Sequence, residues 1–267
     1  MARDGSQQNG RNLHGQTATP CVFGTLYIVG TPIGHPDDIT LRALAVLQRV
    51  SIIASEDPRA TQRLLAHHGM TATLTSYGPL NHQEKVPLLL QRLTQGQDVA
   101  LVSDNGTPVI YDPGSQLVAA AHHAGIPVKT IPGPSAITAA TAISGFSGDA
   151  ILFDGQLPST RPQLEKYLCS FRTERRTLAF YVHPGALTRL LKALAQILPM
   201  RQVAIALNLT TSQEALVRGR PKALLSAMAR IPKHSTVTVV VAGDGAGTDR
   251  KRVRGTPPRA TPLHGDK

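Results

Sequence analysis

The sequence predicts an α/β protein of two units, and three observations carry that prediction. Short apolar strands alternate with helical stretches from Gly24 onward. Three Gly/Pro loops each follow directly on such a strand: Gly30-Thr31-Pro32-Ile33-Gly34, Ser103-Asp104-Asn105-Gly106-Thr107-Pro108 and Pro132-Gly133-Pro134-Ser135. After Phe153 the pattern changes, and strands come to follow one another with no helix between them. Strands separated by helices imply a mostly parallel sheet covered on both faces, whereas adjacent strands imply a mixed one. Loops after parallel strands gather at the carboxyl edge, where ligands bind, so the three loops predict one cleft built largely from backbone.

Residues 1–23 are rich in Gly, Gln and Asn and read as a disordered tail. The first α/β unit spans 24–155. Within it the pattern predicts strand Thr25–Val29, helix Ile39–Gln48 capped by Asp37 or Asp38, strand Ser51–Ala54 and helix Ala60–His67. A weak strand Thr73–Thr75 and the amphipathic helix Glu84–Gln95 come next. Strand Asp98–Val102, helix Ser115–His123, strand Val128–Ile131, helix Ser135–Ile143 and a closing strand Asp149–Phe153 complete the unit.

Gly155 to Thr160 reads as a linker into a second α/β unit at 161–243. This unit is predicted to hold helix Gln163–Phe171, strand Thr177–Tyr181, helix Leu187–Ile197 and strands Gln202–Asn208 and Glu214–Arg218. Helix Lys222–Arg230 and the β-branched strand Ser235–Ala242 follow. Residues 244–267 read as a flexible basic arm.

The formal charge of +11 is uneven: residues 24–160 carry −3 and residues 161–233 carry +10. A basic half beside a slightly acidic one points to a polyanionic partner held by the second unit, against the alternative of a merely soluble basic surface. Cys21 and Cys169 support neither a disulfide framework nor a metal site, and His67-His68 and His122-His123 read as solvated pairs at helix ends. No apolar run approaches the roughly 20 residues of a membrane span, and the polar start lacks the apolar core of a signal peptide, so a cytoplasmic protein is expected.

No GxGxxG or GxxxxGK[ST] pattern occurs, which argues against a dinucleotide or nucleoside-triphosphate site. Asp104 offers a carboxylate at a strand end, or bonds its own turn. Ser135 stands where a helix cap is wanted. At the same edge, Glu56-Asp57-Pro58-Arg59 brings two carboxylates and a guanidinium that could align a hydroxyl or a phosphate. Equally, Asp57 could cap the next helix while Arg59 pairs on the surface.

The order and spacing of these loops resemble the class III, tetrapyrrole-methylase-fold S-adenosylmethionine methyltransferases. Among them, the chain is similar to the branch that methylates a ribose 2′-hydroxyl of small-subunit ribosomal RNA. The residues that carry the resemblance are Gly24–Gly34, Asp38–Leu44, Glu56–Arg59, Ala100–Pro108, Asp112-Pro113-Gly114 and Ile131–Ala136. It implies S-adenosyl-L-methionine held between the two units. Thr31, Pro32, Gly34, Ser103, Asp104, Gly106, Thr107, Pro132, Ser135 and Ala136 would bind it from the first unit, and Tyr181 and Leu207 from the second. It further implies Asp57 orienting or deprotonating the hydroxyl, Arg59 on a neighbouring phosphate, ribosomal RNA or the small ribosomal subunit as partner, and a homodimer; the absence of CxxC and HExxH spacings separately gives no expectation of a metal.

The chain departs from the family pattern mainly in the second unit, at Tyr181-Val182-His183-Pro184, Leu207-Asn208-Leu209-Thr210 and His234-Ser235, where charged residues are expected. Those departures leave two alternatives: a paralogue that binds RNA or ribosomal particles with little catalysis, and a same-fold methylase of another substrate such as a tetrapyrrole.

Overall fold

The computed structural model describes residues 22–155, 157–227 and 234–245. Most of the tail expected at 1–23 and of the basic arm expected at 244–267 lies outside these residues, as does the end of the helix expected to reach Arg230.

Five strands, β1 (Leu26–Val29), β2 (Ile52–Ser55), β3 (Leu74–Ser76), β4 (Val99–Val102) and β5 (Val128–Ile131), form the first sheet in the order β3-β2-β4-β1-β5. Every pairing in it is parallel. Helices α1 (Leu41–Arg49) and α2 (Pro58–His67) cover one face, packing Ala43, Val46, Leu47 and Leu65 on Tyr27, Val29 and Ile53. Helices α3 (His82–Thr94) and α4 (Ser115–His123) cover the other, packing Leu89, Leu93, Leu117 and Ala121 on Leu26, Ala54 and Leu101. The neighbouring strands β1 and β4 therefore send the chain to opposite faces, which opens a crevice between their carboxyl ends.

Thr40 caps α1, its hydroxyl accepting from the Ala43 N–H at 3.1 Å. Asp37 and Asp38, expected as caps, lie instead in a 3-10 turn, Pro36–Asp38, started by His35. The hydroxyl next to the helix outcompetes carboxylates two and three residues back.

The second sheet joins β6 (Ile151–Asp154), β7 (Thr177–Tyr181), β10 (Val237–Val241), β8 (Val203–Leu207) and β9 (Ala215–Gly219) in that spatial order. Only the β6–β7 pairing is parallel, so the sheet is mixed as expected. β6 is a correction. Its sequence reads as the closing strand of the first unit, yet it pairs with β7 and opens the second sheet. Helices α6 (Arg161–Cys169), α7 (Pro184–Ile197) and α8 (Pro221–Ala227) cover one face over Leu178, Phe180, Val203, Ile205 and Val239.

The opposite face is lined by small residues. Ala204, Ala206 and Val240 meet Ala140 of α5 (Ala136–Ser144) and Ile33 of the loop after β1. α5 leaves the third Gly/Pro loop and runs against the second sheet, so the loop edge of one sheet and the face of the other become two walls of one space.

Candidate active site

The three Gly/Pro loops interlock at the carboxyl edge of the first sheet. The Thr31 N–H donates to Gly106 O at 2.8 Å, and the Thr31 hydroxyl lies 3.1 Å from Ser103 O and 3.2 Å from Gly106 O. Gly30 and Gly133 stand back to back: a Cβ on either would come within 2.8 Å of the other's backbone. The Thr107 hydroxyl reaches Pro134 O at 3.5 Å. These contacts fix the backbone without side-chain bulk, which leaves room beside it.

The second sheet closes over this edge. Gly34 presses against the loop after β8, where a Cβ would meet Leu209 O at 2.2 Å, and the His35 N–H donates to the Thr210 hydroxyl at 2.8 Å. That loop holds Asn208 and Thr210 at φ of +48° and +64°. Between the units lies a cleft of about 390 Å³, within the range typical of small-molecule sites. Ile33, Ala136, Val182, Ala206 and Leu209 give it apolar walls. Asp104, Asp112, Tyr181, Ser235 and Thr236 just before β10, and Thr238 within it give it polar ones. Tyr181 packs edge-on against Phe153 at 4.9 Å, and the nearby Ser135 hydroxyl counters part of the rise in its pKa.

The cleft mouth is acidic and partly dehydrated. Burial raises Asp112 to about 6, the Ser103 hydroxyl opposing the shift and the Asp104 charge adding to it. Burial likewise raises Glu56, reinforced by Asp112 and Asp104. Tyr181 is raised by burial and then by the Asp112 charge. Carboxylates crowded in a low-dielectric recess favour a bound cation. A sulfonium with an adenine ring suits these walls: charge against Asp104 and Asp112, ring against Ile33, Ala206 and Leu209, and carboxylate on loop amides.

Of the residues singled out from the sequence, Asp104, Ala136 and Tyr181 line this cleft. Thr31, Pro32, Gly34 and Ser103 face a neighbouring hollow of about 340 Å³ that also touches Asp104, Arg63 and His67. Gly106 and Thr107 lie within the interlock, Ser135 stands at the N-cap of α5 without a side-chain capping bond, and Pro132 is exposed beside it. Leu207 points elsewhere, its side chain in the core under α6–α8, while its neighbours Ala206 and Leu209 face the cleft. Asp57 caps α2, one carboxylate oxygen accepting from the Arg59 N–H at 2.8 Å, and its own N–H donates to Asp104 Oδ1 at 2.9 Å. Arg59 is exposed on the first turn of α2.

Sequence reading missed Tyr111 and Asp112 as cleft residues, although Asp112-Pro113-Gly114 stood out as a motif. It missed the start of β10 as well, where nothing in the residue types signals a wall. His67 is not merely solvated: its Nε2 lies 2.8 Å from Asp37 Oδ1, with His68 beside it. None of the helices among the described residues is long and apolar enough to cross a membrane.

Residues 25–225 match the family model described as Tetrapyrrole (Corrin/Porphyrin) Methylases. A protein of Micromonospora olivasterospora named ribosomal RNA small subunit methyltransferase I is 43% identical over 222 residues, covering 82% of this chain and 71% of its own. The Thermotoga maritima protein of the same name is 38% identical, covering 83% and 99%. Among solved structures, a cobalt precorrin-4 methyltransferase superposes with a TM-score of 0.64 at 21% identity, covering 82% of this chain and 94% of its own. A uroporphyrin-III C-methyl transferase from Thermus thermophilus, complexed with S-adenosyl homocysteine, gives 0.58 at 18% identity, covering 83% and 97%.

Proposed function

The chain belongs to the tetrapyrrole methylase family, and from that premise we propose that it methylates a ribose 2′-hydroxyl of small-subunit ribosomal RNA. The methyl donor is S-adenosylmethionine. The observation that carries this reading is the interdomain cleft, whose acidic mouth and apolar walls suit a sulfonium nucleoside. The choice of RNA over a tetrapyrrole rests on likeness. Relatives named for small-subunit ribosomal RNA are 38–43% identical, against 21% and 18% for the two tetrapyrrole-pathway structures. The net +10 of residues 161–233 suits a phosphate backbone.

S-adenosylmethionine, when bound, supplies a methyl group already activated by its sulfonium. The chain's task is then to align a hydroxyl and manage a proton. In this reading backbone amides of the loops after β1, β4 and β5 hold the donor's polar end, the Thr31 N–H staying committed to Gly106 O, while Tyr181 and Ala136 join Ile33, Ala206 and Leu209 in walling its ring. Asp57, with one oxygen committed to the α2 cap, orients the hydroxyl, and Arg59 takes an adjacent phosphate. The exposed side chains of Leu80 and Ile110 offer apolar surface for a homodimer, and the cytoplasm, where small ribosomal subunits are assembled, is the expected compartment.

The test is transfer of labelled methyl groups from S-adenosylmethionine to small-subunit RNA and to assembled subunits, followed by alkaline digestion. An alkali-resistant dinucleotide marks the 2′-O-methyl product. RNA binding without transfer would favour the non-catalytic paralogue. No binding of S-adenosylmethionine would refute the methyltransferase reading.

A further inference from the structure

Asp112 occupies a junction. It lines the cofactor cleft and, together with Tyr111, also lines a second, more open groove of about 470 Å³ bounded by Glu56, His82, Pro113 and Gln116. The lining of this groove comes from the residue after β2, the first residue of α3 and the start of α4, which places it at the loop edge of the first sheet. A hydroxyl entering from the groove and a methyl group presented from the cleft meet beside this carboxylate. The backbone that delivers it is strained: Val109 and Tyr111 are held at φ of +77° and +65°, which is costly for a β-branched and an aromatic residue. The Tyr111 ring is wedged where a Cβ on Gly155 would lie 2.1 Å away, and it faces Tyr181 at 6.1 Å. Strain at a site edge persists only where surrounding packing enforces it; here it aims Asp112 inward.

We propose that Asp112 is the proton acceptor of the methyl transfer, a role distinct from the orienting one assigned to Asp57. The proposal rests on the RNA-methylation reading. In the step, the ribose oxygen forms a bond to the methyl carbon as the carbon–sulfur bond breaks. The bonding pair of that bond stays on sulfur, which becomes a neutral thioether. The hydroxyl proton passes to Asp112, which later releases it to solvent. A carboxylate within reach of both compartments can do this without moving; Asp57, capping α2 through one oxygen, is less free to.

The groups facing Asp112 set its acidity. Asp104 from the loop after β4 and Glu56 from the end of β2 add negative charge, and Tyr181 of β7 stays neutral beside it. Ser103 opposes the rise through its hydroxyl. His183 borders the cleft and His82 the groove. Burial among these groups puts the transition of Asp112 at about 6, close to the working pH, where a base is most effective. A bound sulfonium must lower it, because an opposite charge favours the ionised form.

The experiment compares wild type, Asp112→Asn, Ser103→Ala and Asp57→Asn in single-turnover methylation of small-subunit RNA from pH 5 to 9. Calorimetry with S-adenosylmethionine and S-adenosylhomocysteine runs alongside. Wild type should show an acid limb near pH 6 in kcat/KM, moved to lower pH at saturating donor. Asp112→Asn should bind the neutral product within about threefold of wild type, yet lose roughly 100- to 10,000-fold in rate together with the acid limb. Ser103→Ala should move the limb to higher pH, which keeps the idea testable if Asp112→Asn folds poorly. Asp57→Asn should keep the limb in place.

If wild type methylates RNA but Asp112→Asn retains its rate at saturation and loses only affinity for the cationic donor, the proposal fails, since Asp112 would merely hold the sulfonium. A limb that stays put in Ser103→Ala, or vanishes in Asp57→Asn, also overturns it. If wild type transfers no methyl to RNA, it is the underlying reading that fails instead.

Discussion

Replacing Gly34 with alanine perturbs the clamp between the two units at one atom. The added Cβ would lie 2.2 Å from Leu209 O, 2.6 Å from the Thr210 hydroxyl oxygen and 2.9 Å from Thr211 Cγ2. The Leu209 contact decides the outcome because it is backbone, and cannot rotate away as a side chain can. Restoring a carbon–oxygen separation of roughly 3.3 Å requires one loop to retreat by about 1 Å. Overpacking of this size costs about 1–3 kcal/mol, or roughly 4–8 °C in melting temperature for a 2 kcal/mol loss in a chain of this length. The same retreat widens the cleft beside Leu209 and strains the bond from the His35 N–H to Thr210. Affinity for S-adenosylhomocysteine should therefore fall by about tenfold or more, since an ångström of misplacement at a site can cost on the order of 100-fold in rate. Calorimetry and thermal denaturation measure both. Gly148→Ala is the control, because its Cβ would find nothing closer than Thr141 Cγ2 at 3.9 Å. If Gly34→Ala matched wild type within about 1 °C and about twofold in affinity, the clamp would not set the cleft.

Arg201 is buried and donates to Ala242 O at 3.0 Å, Phe171 O at 2.8 Å and Arg172 O at 3.1 Å, tying the end of β10 to the turn after α6. Arg201→Met should lower stability in guanidinium titration by about 2–4 kcal/mol, because three carbonyls lose their charged donor. Tyr181→Phe keeps the stack on Phe153 but removes the phenol hydroxyl from the cleft wall, and should weaken cofactor binding roughly two- to tenfold by calorimetry. Asp112 gives a pH signature in stability. Its carboxyl releases its proton at about 6 in the fold against 3.8 ordinarily, so the folded chain holds more protons between these values. The contribution is full below about pH 4 and is lost as pH rises through about 6. Asp112→Asn should thus equal wild type near pH 4 and exceed it by about 1 kcal/mol at pH 7.5, a figure reduced for the half-exposed site. Urea midpoints at the two pH values decide it. Binding of small-subunit RNA should weaken steeply from about 50 to 200 mM salt if the basic second unit grips phosphates.

The loop edge was legible because Gly and Pro after apolar runs have a physical meaning that survives without coordinates. Gly30, Gly106 and Gly133 sit where only a missing Cβ permits contact or a φ of +84°. Leu207 was misplaced for an equally physical reason. All five residues of β8 are buried, because helices cover one face and α5 the other. A strand apolar on both sides carries no alternation from which its facing residues can be read. β6 reads as part of the first unit because proximity in sequence favours pairing with what came before, and nothing local announces the jump to β7. The place of Asp112 in the cleft is not legible because the turn that delivers it uses Val109 and Tyr111 in a conformation their side chains disfavour, so residue type argues against the geometry. Asp57 illustrates the converse: both its capping and its site-edge readings were open, and the capping bond is present.

The seam between α5 and the second sheet has a use as a gauge. Its thickness is set by the single methyl groups of Ala140, Ala204 and Ala206, with Ile33 at one end. Each carbon added at Ala140 or Ala204, which belong to the seam but do not line the slot, would act as a shim, tilting one unit against the other and changing the width of the slot from behind its wall. A common scaffold could in this way be fitted to a flat macrocycle or to a folded strand of RNA by adjusting spacers one layer behind the cleft wall. Valine substitutions along this seam would be the mechanical dial with which to try it.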